Sequence, residues 1–533
     1  MFTKLKSNSG SYYIFDSITN EIFRVNPAVF TIVDDIFTLD DKAIVIKHRN
    51  YFTEDVLKRG ISALRAFIRK TQPSNFSNSR IPKVIGVSFD KQKIYSFDEF
   101  LNNYSRMLTL ELTQKCNLNC EYCCFGKHYS RYRSHSSGSI DVDIAERAIQ
   151  YHLDKPNSGR TITFYGGEPL LEFDLLRHLV LYAEKYSKET SNICPKFSLT
   201  TNGTLLSDEI IHFLVEHQFN LLISLDGDAE SHNKYRVFKN GKGSFDLVWK
   251  NMKRFVDLYP SYLGRGISVT LTADNNFFKT NLVIKELSSF YKTIIVNFVN
   301  PLVSNNDHYI SNECVNKSCV RSVDLTTESI KAEFAQWTPE RLVNYQKGYD
   351  AFLVSLVTSQ QNVERDWPVF FYLFKEKFRN IHKRTIRPYY ASKSACNCIP
   401  GAVRLYCNIN GDYFPCEKME TSNSLKIGEV SSGIDVLKVQ QIINYMSEVT
   451  NCSYCTGKHL CGICPTSITE ILPNIMTDSI IQQDCKKLCN ILPGRLQEYV
   501  SLMEKDSNVF EHMELETSSD DWLSNVFFIL DQH

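Results

Sequence analysis

The sequence predicts an α/β protein built on a partial (β/α)6 barrel, with a small module before it and a cysteine-rich domain after it. Three observations carry that prediction. Between residues 108 and 299, six short apolar strands alternate with amphipathic helices, the pattern of a parallel sheet covered by helices and closed or nearly closed on itself. Ahead of them, residues 12–69 read as two strands followed by two helices. Fourteen of the seventeen cysteines crowd into two groups, 116–124 and 396–489, which favours metal over disulfides in a reducing compartment.

A chain of 533 residues exceeds what one hydrophobic core serves, so about two to four domains are expected. Apolar residues at 43% and aromatics at 12% supply material for sizeable cores, and no segment is biased enough to read as disordered. Sixty basic and sixty acidic residues cancel, so bulk charge points to neither nucleic acid nor an anionic membrane as partner. The start, MFTKLKSNSGSYYIF, lacks the basic head and apolar stretch of a signal peptide, and no apolar run approaches membrane-spanning length. A cytoplasmic location is the expectation.

Taken in order, Tyr12–Phe15 and Ile22–Val25 read as strands around the turn-forming Asp16–Asn20. Asn26 suits a helix N-cap and Pro27 the first helical position, opening a helix through about Phe37. A second helix, about Thr53 to Arg69, carries Leu57, Ile61, Leu64 and Ile68 on one face. Together they form a β-β-α-α module of winged-helix size over residues 1–80. Gln72–Pro82, rich in Ser, Asn and Pro, reads as the start of a linker that runs on through 81–105.

The barrel follows over 106–302. Its strands are Leu108–Thr113, Thr161–Tyr165, Lys196–Thr201, Leu221–Leu225, Ile267–Thr272 and Thr293–Val299, with helices centred near 148, 180, 212, 252 and 285. In such barrels the active site sits at the C-terminal ends of the strands. Directly after the first strand come Cys116, Cys120 and Cys123 at C-x-x-x-C-x-x-C spacing. Three thiolates on one tight loop can ligate three irons of a four-iron cluster and leave the fourth open. A zinc knuckle wants four ligands at other spacings, and a redox dithiol needs only C-x-x-C.

Residues 303–395 form a mainly helical bridging segment, including Glu340–Val357 and Asp366–His382, and carry Cys314 and Cys319, to which no role is assigned. A second cysteine field occupies 396–490. The tail, 491–533, reads as helix from Leu496 to Leu530.

These residues resemble the radical S-adenosylmethionine (radical SAM) superfamily. The triad has an aromatic residue, Tyr122, before its third cysteine, and Gly166-Gly167-Glu168-Pro169 follows the second strand. The resemblance implies one [4Fe-4S] cluster on Cys116, Cys120 and Cys123, with S-adenosyl-L-methionine on the open iron. Gly166 and Gly167 let backbone approach a ligand, and Glu168 accepts charge-assisted hydrogen bonds from the cofactor's ammonium group. By the same resemblance Thr201, Asn202, Ser224 and Asp226 lie where relatives contact the cofactor's ribose and carboxylate. Arg236 either pairs with that carboxylate or forms a structural ion pair. Cys124 stands where relatives place an aromatic residue and reads as packing.

The second field resembles the SPASM extension, which holds two auxiliary iron–sulfur clusters in peptide and protein maturases. Twelve residues separate Cys398 from Gly411 and four separate Gly411 from Cys416; Cys452-x-x-Cys455 is followed after five residues by Cys461, then Cys464 and Cys485. It departs from that pattern in one place, since two residues and not three lie between Cys461 and Cys464. Carried over by position, Cys398, Cys416 and Cys464 serve the nearer cluster, with Cys407, Cys396 or no protein group as fourth ligand. Cys452, Cys455, Cys461 and Cys485 serve the farther one, and Cys489 is left as a bystander. A pair of zinc ribbons would suit the C-x-x-C pairs taken alone; the triad upstream argues for iron.

What the resemblance implies is a peptide maturase. The reduced cluster cleaves S-adenosylmethionine to a 5′-deoxyadenosyl radical, which takes hydrogen from a ribosomally made precursor peptide and leads to a cross-link. The N-terminal module would bind the peptide's leader as an added strand, and flavodoxin or ferredoxin would donate the electron. Glu417, after Cys416, stands where protein-sulfatase maturases carry a proton acceptor; a solvated surface glutamate is the plain alternative. Two further readings are a maturase of a protein such as a sulfatase and a non-catalytic metal- and peptide-binding partner. The basic, aromatic run Lys127–Arg133 is the sole support for nucleic acid, and an exposed loop beside the active site explains it as well.

Overall fold

A computed structural model describes residues 2–71, 84–89, 93–123, 125–126, 134–191, 193–272, 275–298, 339–358, 362–384, 391–392, 399–419, 421–450, 455, 457, 459–460, 475–510 and 526–530. The N-terminal module is an antiparallel sheet in the order β1 (Phe2–Lys6), β2 (Tyr12–Asp16), β3 (Glu21–Val25), followed by α1 (Pro27–Ile32), α2 (Asp41–His48) and α3 (Glu54–Thr71). Asn26 caps α1 as expected, its Oδ1 accepting from Val29 N at 2.9 Å. The helix is shorter than predicted and gives way to a 3-10 turn at Asp35–Phe37. The additional α2 starts where Asp40 Oδ1 accepts from Ala43 N at 2.8 Å; its apolar residues, Ala43 to Ile46, are contiguous, so no helical period marked it. The module has its own core of Ile14, Val29, Ile32, Ile44, Leu57, Ile61 and Leu64.

Gln72–Pro82 lies outside the described residues; the described parts of 81–105, predicted as linker, form regular elements. β4 (Val84–Phe89) and β5 (Lys93–Tyr95) pair antiparallel, and α4 (Phe97–Asn103) leads straight into the barrel. Ser96 caps α4 through Glu99 N at 3.1 Å.

Six parallel strands form the barrel wall: β6 (Tyr104–Thr113), β7 (Asn157–Gly166), β8 (Lys196–Thr201), β9 (Asn220–Ser224), β10 (Arg265–Leu271) and β11 (Thr293–Phe298). Their helices are α5 (Val142–Leu153), α6 (Phe173–Thr190), α7 (Asp208–Glu216), α8 (Ala229–Tyr235), α9 (Phe245–Leu258) and α10 (Phe277–Ser288). On β6, Leu108, Leu110 and Leu112 are fully buried, while Met107 and Thr109 line the barrel's interior, the two-residue alternation of a strand. The barrel does not close: the sheet runs β11-β10-β9-β8-β7-β6 and continues beyond β6 into β13 (Leu405–Cys407), so β6 and β11 do not pair.

After β11 come α11 (Pro339–Thr358) and α12 (Pro368–His382), within a few residues of the predicted helices. α12 packs against β11 and α10. The short β12 (Ala391–Ser392) precedes β13, and β14 (Asp412–Phe414), β15 (Gly428–Glu429) and β16 (Gly433–Ile434) extend the main sheet antiparallel. α13 (Val436–Thr450) and α14 (Ile475–Lys505) follow; α14 runs through residue 490, where the sequence suggested a boundary. The tail is helical to Lys505, as expected, but departs from helix at its end. β17 (Val526–Leu530) is a strand, inserted between β12 and β4. Cys314 and Cys319 lie outside the described residues.

Candidate active site

The cysteine loop leaves β6 at Thr113 and is fixed at both ends by main-chain bonds. Gln114 N donates to Gly138 O (2.9 Å), Asn119 N to Val237 O (2.8 Å) and Glu121 N to Tyr235 O (3.1 Å). Gly167 N and Glu168 N donate to Thr113 O and Lys115 O, each at 2.8 Å. That stitching explains the two glycines. A Cβ on Gly166, whose φ is +133°, would sit 2.2 Å from Thr113 O, and one on Gly167 would sit 2.1 Å from Lys115 O. The close approach they permit is thus of backbone to the cysteine loop.

Cys116, Cys120, Cys123, Tyr122, Gly166, Gly167, Thr201, Asn202, Ser224 and Arg236 all line one cavity of about 810 Å³ at the C-terminal ends of the strands. Three half-buried thiols on one wall of a cavity are the donor set an iron–sulfur cluster takes. Burial, chiefly, pushes the Cys116 thiol up to about 12, with Glu168 and Cys120 adding to it. Cys120 is raised by burial too, against the pull of Arg236. Both must give up a proton to bind metal.

Glu168 is buried behind this wall. Its Oε1 accepts from Thr201 Oγ1 at 2.7 Å and Leu170 N at 3.1 Å, and its Oε2 from Asn202 N at 2.7 Å. Burial raises its carboxyl to about 6 in spite of these donors. Asn202 Nδ2 donates onward to Asn117 Oδ1 (2.8 Å), and Asn117 Nδ2 to Thr204 Oγ1 (2.8 Å). The Thr201-Asn202-Gly203 turn therefore holds both Glu168 and the cysteine loop in place.

Asp226 and Arg236 form a buried ion pair, Nε to Oδ2 at 2.7 Å. Asp226 Oδ2 also accepts from Tyr122 O–H, and Oδ1 from Thr270 N at 2.8 Å. Arg236 lies over the Tyr122 ring, with Nη1 3.9 Å from Cys120 Sγ. Arg236 thus forms a buried ion pair while also lining the cavity. Nearby His232 is neutral: burial lowers it to about 4, Nδ1 accepts from Asp226 N at 3.3 Å and Nε2 faces Ser244 Oγ at 3.0 Å.

Glu417 is not a solvated surface residue. It is 5% exposed, its Oε1 accepts from Arg404 Nη1, and both residues line the same cavity. On the open side of the barrel α12 contributes Phe371, Tyr372, Lys375 and Glu376 to the lining. Sequence reasoning missed Arg404, which belongs to no motif, and His135, whose Nδ1 faces Gln114 O at 3.1 Å and Nε2 faces Cys123 Sγ at 3.5 Å.

The second cysteine field is described in part. Cys407 pairs with Leu110 across β13 and β6 and is fully buried. It shares the face of Leu110, towards the helices and away from the cavity, with Sγ 3.6 Å from Asn408 O. Burial, chiefly, with the nearby Asp412 and Glu111 carboxylates, pushes this thiol up. Cys416, in the turn after β14, is half-buried. Cys455 lies 3.4 Å, Sγ to Sγ, from Cys489 on α14. Cys398, Cys452, Cys461 and Cys464 lie outside the described residues, as do Cys124, Cys396 and Lys127–Arg133.

Residues 110–272 match the model of the Radical SAM superfamily. A cysteine-type anaerobic sulfatase-maturating enzyme of Clostridium novyi is 34% identical over 28% of this chain and 39% of its own length. The radical SAM cyclopropyl synthase TigE of Paramaledivibacter caminithermalis is 21% identical over 55% of this chain and 58% of its own. The chain thus spans less than two thirds of either relative. Among solved structures, native anSMEcpe with bound AdoMet aligns with a TM-score of 0.47 and 20% identity, over 74% of this chain and 99% of that one. Among the described residues no helix is long and apolar enough to cross a membrane.

Proposed function

We propose that this chain, a radical SAM protein by its residues 110–272, is a maturase that modifies a ribosomally made precursor peptide, most simply by cross-linking it. The observation that carries this reading is convergence: Cys116, Cys120 and Cys123, the Gly166-Gly167 turn and the Arg404–Glu417 pair line one cavity. Bound there, a four-iron cluster with S-adenosylmethionine supplies one-electron cleavage to a 5′-deoxyadenosyl radical.

The chain's own residues bind, aim and exclude. Three thiolates hold the iron, and Arg236 keeps a cation beside Cys120. Glu168, buried and held by Thr201 and Asn202, braces the turn behind the cysteine loop, while Ser224 would offer a hydroxyl to ribose or carboxylate. Tyr122 and Asp226 keep the floor of the site rigid and dry. Glu417 takes a proton from the substrate once hydrogen has been removed, with Arg404 stabilising the carboxylate beforehand. An E417Q chain should still cleave S-adenosylmethionine but yield little product; full product would dispose of the base.

The leader would add as a strand to the edge of β3, whose other side alone is paired among the described residues. Thiols of the C-terminal field would hold two auxiliary clusters and accept the electron left on the product. Flavodoxin or ferredoxin would reduce the first cluster.

Co-expression with a short peptide encoded beside the gene, followed by mass spectrometry, tests the reading. A cross-link appears as the loss of two hydrogens, and an unmodified peptide would count against it. The second reading is maturation of a sulfatase, favoured by the name of the Clostridium novyi relative. A sulfatase-derived peptide whose cysteine became formylglycine would establish that reading.

A further inference from the structure

We infer that Lys375 sets the specificity of the cavity: its ammonium group binds a carboxylate of the peptide that enters. The inference rests on the proposed reading that a peptide is the substrate, and it names the chemistry by which this side of the site recognises one.

Three observations carry it. The first is periodicity. Pro368, Phe371, Tyr372, Lys375, Glu376 and Arg379 line the cavity, which is the spacing of a single helix face. Since α12 packs against β11 at the open side of the barrel, that one face is turned to whatever occupies the cavity. The second is the state of Lys375 itself. It is half-buried, and its Nζ lies 5.3 Å from the centroid of the Phe371 ring, one turn earlier. Lys377, two residues on, is paired with Glu498, whereas Lys375 forms no ion pair among the described residues. The face of an aromatic ring attracts an ammonium group without neutralising it. Arg379, at i+4, adds a like charge on the same face, which disfavours the helix and which an anion bound beside the two would relieve.

The third observation is charge. The side of the cavity formed by α12 and the β13–β14 region carries Lys375, Arg379, Arg404 and Lys418 against Glu376 and Glu417, and Glu417 is already held by Arg404. In a chain whose 60 basic and 60 acidic residues cancel, that excess is local. A cation taken partly out of water is stabilised by a hydrogen-bonded counter-ion. The anion an unmodified peptide offers near neutral pH is a carboxylate, either the side chain of Asp or Glu or the C-terminus.

Lysine acetylation reads the contact at its own position. The full chain, reconstituted anaerobically with iron and sulfide, is treated with acetic N-hydroxysuccinimide ester with and without S-adenosylmethionine, and acetylation at each lysine is followed by mass spectrometry. The probes are acetyl-Gly-Ala-Asp-Ala-Gly amide, its Asn counterpart, and the Asn counterpart with a free C-terminal carboxylate. At about ten times its dissociation constant the Asp peptide should slow acetylation of Lys375 about tenfold, and the Asn amide should leave it unchanged. Slowing by the free-acid peptide alone would assign the carboxylate to a C-terminus. Lys188, exposed on α6 and outside the cavity lining, should react alike throughout. Should Lys375 be inert to the reagent, titration calorimetry replaces it: the native chain and K375R should bind the carboxylate peptide about tenfold more tightly than the Asn amide, and K375Q should bind both alike. Equal effects of the Asp and Asn amides, no effect of either carboxylate, or protection by S-adenosylmethionine alone would overturn the proposal. Protection by a carboxylate while the co-expressed peptide stays unmodified would remove the maturase reading and leave the carboxylate site standing; a modified peptide with Lys375 indifferent to both carboxylates would do the reverse.

Discussion

At Gly167 the chain has no room for a side chain, because the atom a Cβ would meet is a main-chain oxygen of the cysteine loop, 2.1 Å away. A backbone pinned by hydrogen bonds on both sides cannot move aside cheaply. G167A should therefore cost about 1–3 kcal/mol, seen as a lower denaturation midpoint, and should also reduce the iron bound on reconstitution. G241A, in open space though at φ +81°, serves as the comparison for backbone strain alone. Arg236 makes a different prediction. R236M leaves Asp226 charged and buried without its cation, a loss of about 3–5 kcal/mol; a double variant R236M/D226N should recover part of it. Both would be read by urea denaturation. The cysteines, the glycines and Glu168 were legible because cluster ligation and close backbone approach each demand one residue type at one spacing. Arg404 and His135 were not, since an ion-pair partner or an imidazole beside a thiol is brought into place by tertiary folding alone.

Among the elements, α14 ties together segments far apart in sequence. Its Glu498 binds Lys377 of α12 and accepts from Tyr349 O–H of α11 at 3.1 Å. Farther along, Ser501 Oγ accepts from Asn8 N at 2.9 Å, and Glu504 accepts from Ser9 Oγ at 2.6 Å and Tyr13 O–H at 2.9 Å. Desolvation pushes the Glu504 carboxyl up, but the hydroxyls of Ser7, Ser9, Ser11 and Tyr13 outweigh it and bring it to about 2. A carboxyl lowered on folding stabilises the fold above its unfolded value, 4.5, and loses that contribution as pH falls towards 2. Thermal melts of the native chain and E504Q should differ at pH 7 and converge as pH falls between those limits; a gap that stays constant would contradict the assignment. The six barrel strands were readable to within a few residues because each is a short apolar run bounded by turns. β17 was not, since five contiguous apolar residues fit helix and strand alike, and its partner β4 lies more than four hundred residues earlier.

At the scale of the whole molecule, the open barrel gives the site its shape. Strands β6–β11 supply the wall, the turns after them carry the cysteine triad and the Gly-Gly turn, and α12 with the β13–β14 region flanks the side left open by the outer edge of β11, unpaired among the described residues. A cavity with a mostly apolar lining, rimmed by thiols and an ion-paired glutamate, suits radical chemistry, in which water must be kept from the reacting carbon while one proton is moved. The central claim is that Cys116, Cys120 and Cys123 carry a cluster that cleaves S-adenosylmethionine. Its most direct test is anaerobic reconstitution with iron and sulfide, then dithionite and S-adenosylmethionine, with 5′-deoxyadenosine and methionine measured by liquid chromatography. The account predicts about twelve irons per chain, cleavage by the native protein, and none when any one of the three cysteines is serine. Zinc in place of iron, or cleavage that survives the loss of Cys120, would contradict it.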